Sequence, residues 1–186
     1  MFLDKLLSLV VGLIFLIALS CDGPTGKSGE ENKAVATTRT LANDSAFWDY
    51  AVSSNILQTE LGQLVQSKEN AQVRSLASEA TRYHGNALEK LKRLAKGHYT
   101  GPLPDSLSGA DRDMVNEFKL LEGEELATRY RAFISSTHQR QLARYQEALQ
   151  RTEDPKIREW LNDMLLHLQQ QLEHLSRMDS LQEESI

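Results

Sequence analysis

The sequence predicts an all-α fold: a four-helix bundle of the up-down kind, with a long middle connection carrying a short extra helix. Apolar residues recur at alternating spacings of three and four over four long stretches, the mark of helices that bury one face. Glycine and proline are few, 10 and 4 in 186 residues, and no alternating run of strand type occurs. The turn signals fall between the stretches, two short and one long, as an up-down bundle requires.

A chain of 186 residues suits one compact domain with short appendages. The net charge is −5 and the basic residues are scattered over helix surfaces. That argues against nucleic acid as a partner, because phosphate binding needs a basic patch or stripe.

In chain order, residues 1–20 read as a targeting segment. Lys5 gives the head its positive charge, and Leu6 to Leu19 is an apolar run too short for a comfortable span but right for a signal core. It ends at Ala18-Leu19-Ser20-Cys21, which sets the only cysteine where a signal peptidase would cut. This placement resembles a bacterial lipoprotein box, although Ala18 stands where leucine is usual. The resemblance implies a lipid anchor on Cys21, the membrane as a partner, and a place in the cell envelope facing the periplasm. An ordinary secretory signal cleaved nearby is the alternative, and Asp22 leaves the choice between inner and outer membrane open. Residues 21–43 are polar, rich in Gly, Ser and Thr, and form a tether with a reach on the order of 25 Å.

The bundle domain is expected over 44–178. Asn43, Asp44 and Ser45 can cap a first helix whose stripe is Phe47, Tyr50, Ser54, Leu57, Leu61 and Leu64. Glu69-Asn70 makes a tight turn into a second helix, with Val73, Ala77, Ala80, Ala87, Leu91 and Leu94 inward. Gly97 to Gly109, with Pro102 and Pro104, is the long connection, and Ser108 should cap a short helix over 110–121. The third long helix starts at Glu124-Glu125, where acidic side chains meet the positive end of the helix dipole. Asp154-Pro155 opens the last one, with Ile157, Leu161, Met164, Leu168, Leu172 and Leu175 inward, and 179–186 is a polar tail.

One member of the second helix's stripe is ionisable. His84 points to within about 30° of its centre on a 100° wheel. Bundle interiors build sites from one such side chain per helix: Glu60 can match the height of His84 within the first hairpin and Gln171 that of His138 within the second, while the long connection sets whether the two hairpins share one height. Two roles are open. Glu60, His84, His138 and Gln171 can form a buried, hydrogen-bonded polar layer that fixes register. Alternatively, Glu60, His84 and His138 can hold a transition metal, since imidazole and carboxylate suit zinc, copper, iron or manganese. The Glu-x-x-His pair of di-iron bundles is absent, because Thr81, Ser135 and Gln171 stand three before His84, His138 and His174. His167 and His174 share a flank of the last helix and read as partly exposed, possible substitute ligands; His98 falls in the connection and reads as solvated. No nucleophile elbow or glycine-rich phosphate loop occurs, and the sequence offers no catalytic residues.

Glu60-Leu61-Gly62-Gln63-Leu64, Thr81-Arg82-Tyr83-His84, His138, Asp154-Pro155 and a Leu-rich final helix together resemble domain-of-unknown-function family 4142. The resemblance runs from Ser45 to Met178 and implies a ferritin-like four-helix fold in a bacterial envelope protein. It places the family's glutamate on Glu60, its inward histidines on His84 and His138, and its last-helix histidine on Gln171. Glutamine there is a departure, since its amide is a poorer metal ligand than imidazole. The expected role is non-enzymatic, whether structural, interactive or stress-related; a ferritin-like metal-binding or oxidoreductase domain is the alternative.

Overall fold

The computed structural model describes residues 41–68 and 70–183. The signal segment, Cys21 and most of the 21–43 tether lie outside the described residues. Those described form five α-helices: α1 (Ser45–Ser67), α2 (Ala71–His98), the short α3 (Gly109–Lys119), α4 (Gly123–Gln150) and α5 (Pro155–Glu183). A single 3-10 turn, Leu41–Asn43, precedes α1.

Three of the helix starts use the side chains the sequence offers. Asp44 Oδ1 accepts from Phe47 N at 3.3 Å, and Asn70 Oδ1 from Gln72 N at 3.0 Å. Asp154 Oδ1 accepts from the backbone N–H groups of Lys156 and Ile157 at 2.9 and 3.0 Å, with Pro155 in the first helical position. Ser108 departs from expectation: it occupies the cap position of α3 without a side-chain cap bond.

Cross-helix contacts give the direction of each helix. On α1 and α2, Asn55 meets His84 and Gln66 meets Thr81, so the two are antiparallel. Ser54 meets Tyr145 and Gln58 meets Gln141, which makes α4 antiparallel to α1. Ala87 meets Trp160 and Tyr83 meets Asp163, which makes α5 antiparallel to α2. The order is therefore up, down, down, up, and α2 and α4 run parallel. The all-α bundle holds, but the expected up-down alternation is corrected: the middle connection is a crossover, as in bundles with one long connection. The chain leaves α2 at one end and climbs back along α1 through α3, where Arg112 pairs with Glu60. At the far end Lys68 Nζ donates to the carbonyls of Lys119 and Leu121, and Asn70 Nδ2 to that of Gly123. The two Lys68 bonds satisfy carbonyls that the end of α3 leaves without helical partners, and the Asn70 bond ties the start of α2 to the start of α4. Gly123, at φ +54°, takes the left-handed backbone needed to turn into α4.

Two expected boundaries move. Leu41 is buried and its carbonyl accepts from Trp48 Nε1 at 2.9 Å, so packing begins inside the stretch read as tether. At the other end α5 continues to Glu183, because residues 179–183 contain neither glycine nor proline to stop it.

α1 and α2 approach closely at Gly62. A Cβ there would collide with Thr81 Oγ1 and come within 2.9 Å of the Ala77 carbonyl, which is backbone and cannot yield. Gly62→Ala should therefore destabilise the bundle by about 1–3 kcal/mol from overpacking, although alanine is the better helix former by about 1 kcal/mol. Urea unfolding followed by circular dichroism would check this, and an unchanged or raised midpoint would contradict it.

Candidate functional site: a histidine triangle in the bundle core

α2, α4 and α5 each place one histidine in the core, His84, His138 and His167, at 0%, 1% and 6% exposure. Their ring centroids are 5.8 Å apart for His84 and His138, 5.5 Å for His84 and His167, and 6.2 Å for His138 and His167. The outer face of His167 is covered by Tyr83, whose ring stacks on it at 3.4 Å and 10°. The Tyr83 hydroxyl donates to the Asp163 carbonyl at 2.7 Å. Burial, and then the Asp163 charge, pushes that phenol up to about 12, so it stays a neutral donor.

α1 contributes the amides beside the rings. Asn55 Nδ2 donates to the Ala51 carbonyl at 2.7 Å, and a carbonyl can only accept, so Asn55 Oδ1 is the atom that faces His84 Nδ1 at 2.9 Å. An oxygen acceptor there requires the proton on Nδ1. His84 Nε2 is therefore a buried lone pair, and it has no hydrogen-bond partner. Both ring nitrogens of His138 and Nε2 of His167 are also buried without partners. One turn along, Gln58 Nε2 donates to Gln141 Oε1 at 2.9 Å, leaving Gln58 Oε1 and Gln141 Nε2 unpaired. Unsatisfied buried groups of this kind cost about 1–3 kcal/mol each.

All three imidazoles are held neutral. His84 lies well below its usual range, through burial first and then the neighbouring His138 and His167. Burial, followed by His167, brings His138 down to about 3. Burial also brings His167 down to about 4, with Glu79 opposing and Arg82 adding to the shift. Neutral imidazole is the form that binds metal. As placed, no three or more His, Cys, Asp or Glu side chains among the described residues already converge as metal ligands. The triangle would need its rings to turn about their side-chain bonds before its nitrogens shared a point.

The expected site residues divide. His84 and His138 meet in the core, but Glu60 does not join them: its side chain is 32% exposed and its Oε2 lies 3.1 Å from Arg112 Nη1. The expected layer of Glu60, His84, His138 and Gln171 is corrected accordingly: Glu60 lies about 200° of helix turn from the buried Gln58 and so falls on the flank of α1, where Arg112 meets it. Gln171 is buried one turn beyond His167, and His174 is exposed. His98 is partly shielded, its Nε2 3.4 Å from Asp154 Oδ2. Sequence reasoning undervalued His167 and missed Asn55, Gln58 and Gln141. The signal for the amides was present, since Ala51, Asn55, Gln58 and Val65 keep a spacing that returns to one helix face.

A family model described as "Domain of unknown function (DUF4142)" matches residues 29–178. No curated protein and no solved structure matches the chain.

The depressed histidines fix the acid response of the metal-free protein. In the unfolded chain each titrates near 6.5, whereas the folded core resists protonation until pH is far lower. Below about pH 6.5 the unfolded state binds more protons, so stability present at neutral pH is lost as pH falls toward 4. Urea midpoints measured with chelator between pH 7 and pH 5 should decline, and His138→Leu should make the decline shallower. A slope unaltered by that substitution would contradict the assignment.

Proposed function

From the premise that the chain belongs to the DUF4142 family, we propose that it is a lipid-anchored protein of the bacterial cell envelope whose bundle domain binds one transition-metal ion between His84, His138 and His167. The observation that carries this reading is the fixed lone pair on His84 Nε2, unpaired in a core where His138 and His167 also present unpaired nitrogens. A register-fixing polar layer should satisfy its own hydrogen bonds. This one leaves four ring nitrogens unmet; His84 Nε2 is a fixed lone pair that an electrophile would satisfy, and neutral His138 adds one further lone pair beside one N–H. Asn55 plays the part of the outer partner that orients a metal-binding histidine through its other ring nitrogen. The donor set suits zinc, copper, iron or nickel. Burial on all sides favours holding the ion over turning over a substrate, so the role is binding and not catalysis. Support for the anchor comes from Leu6 to Cys21, and no described helix is long and apolar enough to cross a membrane.

A second reading, a metal-free polar layer, is favoured by the Asn55–His84 and Gln58–Gln141 bonds, which do lock register. Elemental analysis separates the two. Protein purified from its own compartment should carry close to one equivalent of metal. His84→Ala and His138→Ala should lose it with helicity retained, and Asn55→Ala should weaken binding by roughly 10–100-fold. Substoichiometric metal that His84→Ala does not change would overturn metal binding and leave the polar layer. For the anchor, Cys21→Ser should move the protein into the soluble periplasmic fraction; retention with membranes would refute it.

A further inference from the structure

We propose that Tyr83 is the door of the histidine triangle: by swinging out into the cleft between α2 and α5, it admits a small solute from solvent to His167 and His84. The inference rests on the reading of the triangle as a binding site and adds the route by which that site is reached.

The first argument is position. The Tyr83 ring touches two of the three histidines, stacking on His167 at 3.4 Å and meeting His84 edge-on with centroids 5.7 Å apart. All three imidazoles are closed to solvent, whereas Tyr83 is half-buried. On this side the core is therefore covered by a layer one ring thick. With one face of His167 in van der Waals contact with that ring, the imidazole cannot turn until the phenol moves.

The second argument is space. Outside Tyr83, α2 and α5 part to leave a cleft of about 270 Å³, with Tyr83, Ala87, Trp160, Met164 and Asp163 among its lining residues. An aromatic side chain on a helix has two favoured χ1 wells, so a change of well moves the ring while the backbone stays in place. The cleft is where the ring can go.

The third argument is the fastening. The Tyr83 hydroxyl donates to the Asp163 carbonyl at 2.7 Å, and that carbonyl is also the helical acceptor for the N–H of His167 four residues on. One hydrogen bond and one stacked face hold the ring shut, a light fastening. The frame is tied separately. Trp160 Nε1 donates to the Ala87 carbonyl at 3.0 Å, and Lys90 Nζ meets Glu159 and Asp163 at 2.8 and 3.1 Å. These bonds join α2 to α5 along the cleft, so opening is a side-chain motion and not a separation of the helices.

The test is carbethoxylation of the metal-free full chain in detergent by diethyl pyrocarbonate, which attacks the lone pair of a neutral imidazole. Each histidine is followed by peptide mass spectrometry. In the wild-type chain His167 should react at a rate that low urea leaves unchanged, the mark of local opening, whereas the His138 rate should climb with urea as global unfolding does. Tyr83→Phe keeps the ring but loses the fastening, and should speed His167 by roughly 2–10-fold. Tyr83→Ala should speed it by at least about tenfold with His138 still protected. A His167 rate that follows urea as His138 does, or one that Tyr83→Phe does not raise, would overturn the door. If Tyr83→Ala lowers helicity, the urea series and Tyr83→Phe decide alone. The series uses no metal, so its failure is distinct from a failure of the metal content that tests the binding reading.

Discussion

One hydrogen bond settles the chemistry of this core. The Ala51 carbonyl can only accept, so the Asn55 amide turns its nitrogen to it and its oxygen to His84, and the proton of His84 must sit on Nδ1. That tautomer leaves His84 Nε2 as a lone pair in a place where water is scarce. The bond is within reach because Ala51 and Asn55 stand one turn apart on α1, so the helix's own backbone orients its side chain. A buried amide on a strand or loop would not have so rigid a reference.

The crossover topology brings the three rings together. With α2 and α4 parallel, His84 and His138 descend from the same end of the bundle, where Asn70 binds the Gly123 carbonyl. His167 rises on α5 to meet them. Strict alternation with short loops would pair the same helix faces in another register, and α3 would not be available to occupy Glu60. The short helix instead covers the outer flank of α1, where Arg112 pairs with Glu60.

This also explains which parts were legible in the sequence. Periodicity reports what a helix can bury, so the all-α class, the four long helices and the inward turn of His84 were readable, and local residue types gave the caps at Asp44 and Asp154 and the turn at Asn70. It does not report what covers a flank. His167 lies well off the centre of the α5 stripe, and its burial comes from the Tyr83 ring stacked upon it from α2. Glu60 and Gln58 differ by two positions on α1, and choosing the ionisable one was the natural preference for a metal site. The structure selects the amide, because two positions are about 200° of helix turn, which sets Gln58 inward and leaves Glu60 on the flank where Arg112 pairs with it. The crossover was hidden for another reason: composition marks residues 97–109 as a connection but not the side of the bundle along which it returns.

The unpaired atoms are not spread at random. Of the eight buried side-chain atoms without partners among the described residues, six belong to His84, His138, His167, Gln58 and Gln141, two adjacent turns of one core. Scattered defects would point to loose packing, yet the apolar layers on either side, with Trp48, Leu61, Leu91, Leu126, Tyr130 and Trp160, are closed to solvent. A bundle that packs so completely elsewhere has the apolar residues available to fill this layer as well, and filling it with leucine would remove every unmet donor and acceptor. Retaining three neutral histidines, one of them with a fixed tautomer, is a cost in the metal-free state that a bound cation would convert into ligand bonds. That conversion is the physical reason to regard the triangle as a binding site and the surrounding helices as the scaffold that keeps it closed.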